Sequence, residues 1–561
     1  MPIHRGKTRT LGVDEDALFS FTLGDSILNY GLLSTAGSYA NGIFALANEV
    51  SVINHGRIET TGDGAPAILI IGDSATVQNR GAIRTSGAPT PEYTSDGIAI
   101  YGNGGQVVSY GSIQASGLGA SAAFAYGDSN HLTNHGSMVT SGPLGGTLGA
   151  IGAFNLVENF GSVVATGPRG SAMLTFGFAN SLANYGVITV SFGDFAQGMW
   201  GFGPLSTVNN FGTLRMSGAA NAAAILLEGD GSAAFNSGRI TVDNQYGFGM
   251  GATGFAGNVG LALENAGTIV TSGDYGLAMA LGVPRFASIP GTPTEDHRAW
   301  SPIEGGHLLN TGSIVTSGNA AAGIVTAGSN TTIMNSGSVT TSGGAADFGP
   351  MGSFAASALI ATGSNLTIVN SAGAVLKSSH AASPTVQINT IASDVGELAG
   401  DSMLLNYGTI SARIIAVLGG SANETIVNHG LIDGRVDLGA GNDVYVAGSG
   451  GHLVGTLMTG SGADLIVVQN GSGHTVIGDF DDDDVLDFSA FGYMSLDSVL
   501  SAATMSVDGL LIKLDSDDSV MLTGLGAADL AADNFIFASA PLAEAHQFWS
   551  APLAHADLLW A

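Results

Sequence analysis

The chain has 561 residues, with 86 Gly, 15 Pro and no Cys, and its formal net charge is −30. That length exceeds what one compact core usually holds, and the 11% of charged residues stands far below the roughly one quarter found in ordinary globular domains. The acidity excludes electrostatic capture of nucleic acid or of an anionic membrane surface, and 45% hydrophobic residues exclude a disordered chain.

The first ten residues, Met1 to Thr10, carry basic side chains but lead into no apolar run, so no cleaved leader is expected. No stretch of about 18 apolar residues follows, so no membrane insertion is expected either. Residues 1–28 are expected to form an N-terminal cap. Beyond them a motif Asn-x-Gly-x-(Ile/Val/Leu/Met) recurs. It reads Asn54-His-Gly-Arg-Ile58, Asn79-Arg-Gly-Ala-Ile83 and Asn134-His-Gly-Ser-Met138, and continues through Asn406-Tyr-Gly-Thr-Ile410 and Asn428-His-Gly-Leu-Ile432. Most of the intervals between its glycines are 25 or 26 residues. Gly, Thr, Ser and Asn in every unit exclude a helical repeat, because each Gly costs a helix about 1 kcal/mol. Short β-branched runs such as Ser162-Val-Val-Ala-Thr166 alternate with period two. The pattern predicts an all-β chain: a right-handed parallel β-helix, or solenoid, with two or three short strands per rung of about 25 residues, occupying 29–414. Glycine is expected to supply positive φ at the corners, and asparagine to stack on the asparagine of the next rung.

Two intervals are longer. Between Gly81 and Gly111 the segment Ala88-Pro-Thr-Pro-Glu92 is extra, and between Gly267 and Gly312 about 20 residues are inserted. Insertions in solenoids become loops on one face, often the binding face. The second carries Asp296, His297 and Arg298. These would be the candidate catalytic residues if the solenoid were a polysaccharide lyase or epimerase, since such chemistry needs carboxylates and a basic group on adjacent rungs. The scarcity of Lys and Arg along the chain argues against a groove for anionic sugars. No P-loop, Gly-x-Ser-x-Gly or His-Glu-x-x-His occurs, so a non-enzymatic role is expected.

Near residue 415 the texture changes. Gly439-Ala-Gly-Asn-Asp-Val-Tyr-Val446 and Gly460-Ser-Gly-Ala-Asp-Leu-Ile-Val467 are spaced by 21 residues, and Arg435 to Phe537 holds 16 Asp and no Glu. In Gly-x-Gly-x-Asp the glycines let carbonyl oxygens face inward and the Asp adds a carboxylate, a donor set suited to Ca²⁺. Gly439, Gly441, Asp443, Gly460, Gly462 and Asp464 are thus the candidate metal residues, with plain solenoid turns as the alternative. Asp443 and Asp464 are expected at equivalent places on successive turns.

These two segments resemble the nonapeptide of the RTX (repeats-in-toxin) family, each with its first Gly-Gly reduced to one Gly. The run Val476-Ile-Gly-Asp-Phe-Asp-Asp-Asp-Asp-Val-Leu-Asp-Phe-Ser489 is similar to the segment closing RTX regions, and Ser498 to Phe537 resembles the C-terminal domain of serralysin-type proteins. The resemblance covers roughly the last 140 residues. It implies an RTX-like β-roll with calcium at 415–489 and a secretion domain at 490–561. It further implies export by a type I secretion apparatus, and an extracellular or cell-surface location. The absence of cysteine agrees with export. The 25-residue repeats are similar to the passenger domains of autotransporter adhesins, which implies a cell-surface or polysaccharide ligand. The tail repeats itself in 11 residues, Ser539 to Trp549 and then Ser550 to Trp560, with no role legible in either copy.

Overall fold

The computed structural model describes residues 3–191, 195–218, 220–252, 259–282, 303–347, 353–390 and 400–538. They fall into two compact units, Met1–Ala321 and Ala322–Ala561. Among the described residues no helix is long and apolar enough to cross a membrane.

Unit 1 is built from three-strand rungs. In one of them the strands are Gln106–Ser109, Ser112–Ala115 and Ala123–Tyr126, and the next begins at His131–Asn134. Every strand pairs in parallel with its own equivalent on the rungs before and after, so Val77, Val107 and Leu132 stand in register, as do Ile83, Ile113 and Met138. Alternation turns these residues inward. Val77, Val107, Leu132, Val157 and Leu182 are at most 2% exposed, and the Ile83–Ile113–Met138–Val163–Ile188 column is fully buried. Burying each such side chain is worth roughly 1.5–3 kcal/mol, but only once a neighbouring rung covers it.

The residue ending the first strand of most rungs is the motif asparagine, with Ser109 in its place on one rung. Asn134 Nδ2 donates to Asn159 Oδ1 at 2.8 Å, Asn159 to Asn184 at 2.8 Å and Asn184 to Asn210 at 2.8 Å. The buried amides thus satisfy one another along the stack. The motif glycines have a different job from the one expected. Gly56, Gly81 and Gly161 are not at positive φ. A Cβ on Gly161 would lie 2.1 Å from the Gly136 carbonyl oxygen, and one on Gly81 1.9 Å from that of Gly56. Glycine is needed there because successive backbones nearly touch. Positive φ occurs at the other two corners, at Tyr39 before a third strand and at Ser129, Phe154 and Leu205 before the first strand of the next rung, although none is glycine.

Residues 3–20, expected to cap the stack, form a rung of the same plan. Ile3 pairs with Leu28, Lys7 with Leu32 and Leu18 with Ile43, and His4 stands where later rungs have asparagine, its Nδ1 bonding Asn29 Oδ1 at 2.9 Å.

Unit 2 is built from parallel strands of the same kind and has its own amide ladder, Asn335 to Asn370 at 2.9 Å, Asn370 to Asn406 at 2.8 Å and Asn406 to Asn428 at 2.8 Å. From there the rungs shorten. Glu424–Asn428, Val444–Ala447, Leu465–Val468 and Val485–Asp487 are successive parallel neighbours. The stack closes on an antiparallel meander, Ala503–Met505, Gly509–Lys513 and Ser519–Thr523, whose last strand lies parallel to His474–Ile477. Ile512, Val520, Leu522 and Phe535 are buried beneath it.

Candidate functional site

In unit 1 the residue just before the first strand of several rungs is a neutral asparagine. Its Oδ1 accepts the backbone N–H of the equivalent residue one rung back: Gly105 to Asn130 at 2.7 Å, Asn130 to Asn155 at 2.8 Å and Asn155 to Asn180 at 2.8 Å. In unit 2, from Glu424 onward, the same position is occupied by acids. Glu424 N–H donates to Asp443 Oδ1 at 2.7 Å, Asp443 N–H to Asp464 Oδ1 at 2.7 Å, and Asp464 N–H to Asp484 Oδ1 at 3.2 Å. All four side chains are at most 2% exposed. One carboxylate oxygen is therefore satisfied on each turn, while Glu424 Oε2, Asp443 Oδ2 and Asp464 Oδ2 are buried with no hydrogen-bond partner among the described residues. The nearby Asp518 differs: both its oxygens accept backbone amides, from Gly471 at 2.7 Å and Gly473 at 2.6 Å.

Burial pushes the Glu424 carboxyl up to about 8 and that of Asp443 up to about 7, and neighbouring carboxylates in the row act in the same direction. Burial raises Asp464 as well, and Asp484 to about 6. A contiguous row of buried acids is electrostatically costly. Unit 1 avoids one at its exposed corner by alternation: Asn48 accepts from Asp73, Asp73 from Asn103, and Asn103 from Asp128.

The structure thus brings together Asp443 and Asp464 on successive turns. Gly439, Gly441, Gly460 and Gly462 lie at φ 95°, 142°, 96° and 137° and stack in pairs. A Cβ on Gly460 would sit 1.9 Å from the Gly439 carbonyl oxygen, and one on Gly462 1.7 Å from that of Gly441. Here positive φ and close approach both demand glycine. Glu424 and Asp484 extend the row at its two ends; Glu424 stands in the Asp place of the degenerate turn Gly419-Gly-Ser-Ala-Asn-Glu-Thr-Ile426, and Asp484 is not singled out by the Gly-x-Gly-x-Asp spacing. The orphaned oxygens are hard donors of the type Ca²⁺ prefers. Among the described residues no three His, Asp or Glu side chains converge as a ready-made metal cage. Asp296, His297 and Arg298 lie outside the described residues, as do both copies of the repeated tail.

Unit 1 offers two outward surfaces. One is an aromatic strip on the third strands. Tyr101 and Tyr126 stack at 4.4 Å, Phe176 meets Trp200 edge-on at 4.8 Å, and Trp200 Nε1 donates to Glu228 Oε2 at 3.1 Å. The other is a groove of about 570 Å³ on the second strands. Its floor is the outward column Ser34, Glu59, Arg84, Gln114 and Val139, in register across five rungs. Thr61, Ser86 and Ser141 add hydroxyls along its side.

These features define the class: the chain is a right-handed parallel β-helix whose repeated polar residues are spent on holding its rungs together. Within it, residues 3–229 match the family described as the BigA third pectate lyase-like domain. No curated protein matches the chain. No solved structure matches it either.

Proposed function

We propose that the chain is an extracellular β-helix that works by contact, as an adhesin-like or matrix protein, and performs no chemistry on what it binds. One contrast carries this reading. Inward columns repeat the same residue types from rung to rung, whereas the outward column in register beside them runs Ser34, Glu59, Arg84, Gln114, Val139, Val164, Thr189, Arg215. A scaffold that holds its interior fixed and varies its exterior is suited to presenting a surface.

The acidic rungs fit export and folding outside the cell. Glu424, Asp443 and Asp464 would hold Ca²⁺ through their orphaned oxygens, and the ion would supply the positive charge that a buried carboxylate row lacks. Where calcium is scarce the row repels itself, which favours the unfolded chain that a type I channel passes. The resemblance of Ser498 to Phe537 to serralysin-type C-terminal domains supports that route.

The contact reading is tested by passing polysaccharides over the immobilised full chain and sizing what elutes. Saturable binding with the ligand recovered at its original length is expected; shortened ligand would show an enzyme instead. Export is tested in a host with a type I apparatus. The full chain should reach the medium and a chain lacking 490–561 should stay in the cell.

A further inference from the structure

Few Lys and Arg are available to this chain, 15 against 45 Asp and Glu, so where they lie matters more than their number. Three of them, Arg57, Arg80 and Arg84, stand on two successive rungs beside the groove of unit 1. Arg57 is paired with Glu59. Arg80 donates through Nε to Gln78 Oε1 at 3.1 Å and lies over the Tyr110 ring at 5.3 Å. Arg84 makes no hydrogen bond or ion pair with the described residues, and projects into the groove with its planar fork free. Its neighbour in register on the next rung, Gln114, is likewise exposed and makes no side-chain hydrogen bond with the described residues. Ser86 and Ser141 stand alongside with hydroxyls that no group among the described residues engages.

A second observation marks this place. The rung containing Arg84 is the one lengthened to 30 residues, and its extra loop leaves the rung directly after Ser86 and Gly87. The loop is ordered by Thr90, whose N–H donates to the Tyr93 carbonyl at 2.8 Å. It is tied back across two rungs by Tyr39, whose Oη donates to Glu92 Oε2 at 2.9 Å. The groove therefore has a floor in which Arg84, unpaired among the described residues, stands in register between Glu59, whose carboxylate Arg57 holds, and the neutral Gln114, with serine hydroxyls alongside and an anchored loop leaving directly after Ser86.

We propose that this groove binds a glycan bearing carboxylate groups, with Arg84 gripping a carboxylate and Gln114 with the serine row taking sugar hydroxyls. The guanidinium fork matches a carboxylate through two parallel hydrogen bonds, which a point charge does not reproduce. Hydroxyls and an amide spaced by one strand separation, about 4.8 Å, suit a polyhydroxylated chain laid across the rungs. Net charge alone disfavours an anionic sugar, so recognition here is a short-range contact at one residue and not long-range attraction. This assignment rests on the reading of unit 1 as a contact surface.

The test is calorimetric titration of the full chain with a β-linked mannuronate oligomer, the β-mannan oligomer of equal length and a poly-glutamate peptide. Arg84→Ala, Arg84→Lys and Gln114→Ala are exposed changes, and unaltered circular dichroism would show that each variant folds. The mannuronate oligomer should bind the parent chain and lose about tenfold or more in affinity on Arg84→Ala, with Arg84→Lys in between. β-Mannan should bind more weakly and be indifferent to Arg84→Ala. Equal affinity for the two oligomers, no response to Arg84→Ala, or poly-glutamate binding as tightly as mannuronate would each overturn the proposal. Failure of mannuronate alone, with other polysaccharides still retained by the immobilised chain, would remove the ligand assignment and leave the contact reading standing.

Discussion

Asp464 accepts the backbone N–H of Asp443 through Oδ1 at 2.7 Å and keeps its Oδ2 buried without a partner. Asn155 does the same for Asn130 with a neutral amide. Asp443→Asn should therefore keep the bond from Glu424 N–H and remove a buried charge. Without divalent cations at neutral pH, the variant should be more stable than the parent by about 1–2 kcal/mol. Calcium should stabilise the parent chain and do nothing for the doubly changed Asp443→Asn, Asp464→Asn chain. Urea titrations in chelator and in calcium decide it; a less stable Asp443→Asn chain in chelator would contradict the account of the row.

Asp96 tests burial of an acid in unit 1. Ser121 N–H donates to its Oδ1 at 2.6 Å and Thr94 Oγ1 to its Oδ2 at 2.6 Å, and burial raises the carboxyl from 3.8 to about 6. The folded chain thus retains a proton up to about pH 6 that the unfolded chain releases near pH 4. This contribution is fully present below the unfolded value, falls as pH rises from about 4 to about 6, and is level above. Asp96→Asn removes the titration but keeps the acceptor for Ser121. Unfolding free energies from pH 4 to 7 should show the variant gaining on the parent up to about pH 6 and a constant difference beyond. Parallel profiles would refute the shift.

Asn159 both accepts from Asn134 and donates to Asn184 within a fully buried row. Asn159→Ala breaks two links at once and leaves Asn184 Oδ1 without its donor. A loss of about 2–4 kcal/mol in chemical unfolding is expected.

Two glycines separate close approach from mere sequence habit. Gly161→Ala forces a Cβ against the Gly136 carbonyl, a rigid backbone atom, and should cost about 3 kcal/mol or more. Gly251→Ala meets nothing closer than 3.8 Å and should cost less than about 1 kcal/mol. Thermal midpoints of the two variants, measured side by side, give the comparison.

The solenoid was legible because its period is written in single residues. Asn134, Asn159 and Asn184 each occupy a place that only a stack can satisfy, so their spacing specified the rung. The reason for the glycines was not legible. Gly56 and Gly161 look like positive-φ corners in a sequence, and the carbonyl that excludes a Cβ belongs to another rung. Conversely, Tyr39 and Phe154 take positive φ with no glycine to announce it. Asp443 and Asp464 could be found from their flanking glycines. Glu424 lies in Gly420-Ser-Ala-Asn-Glu424, a degenerate copy of the same turn with Glu where the Asp would stand, whereas Asp484 shares no local pattern with them and joins the row only through register. Arg84 and Gln114 are 30 residues apart, and they become neighbours because the extra loop is absorbed outside the strands.

Because every strand in unit 1 bonds only to its copies directly above and below, chain length there is quantised. Removing residues 135–159 would join Asn134 to Phe160 and set Asn134 where Asn159 had been, leaving amide row and apolar columns unbroken. Removing one residue fewer would turn each following side chain to the opposite face until the next corner absorbed the slip. A protein of this kind can grow or shrink by whole turns at little cost, and its reach can change without any redesign of its interior.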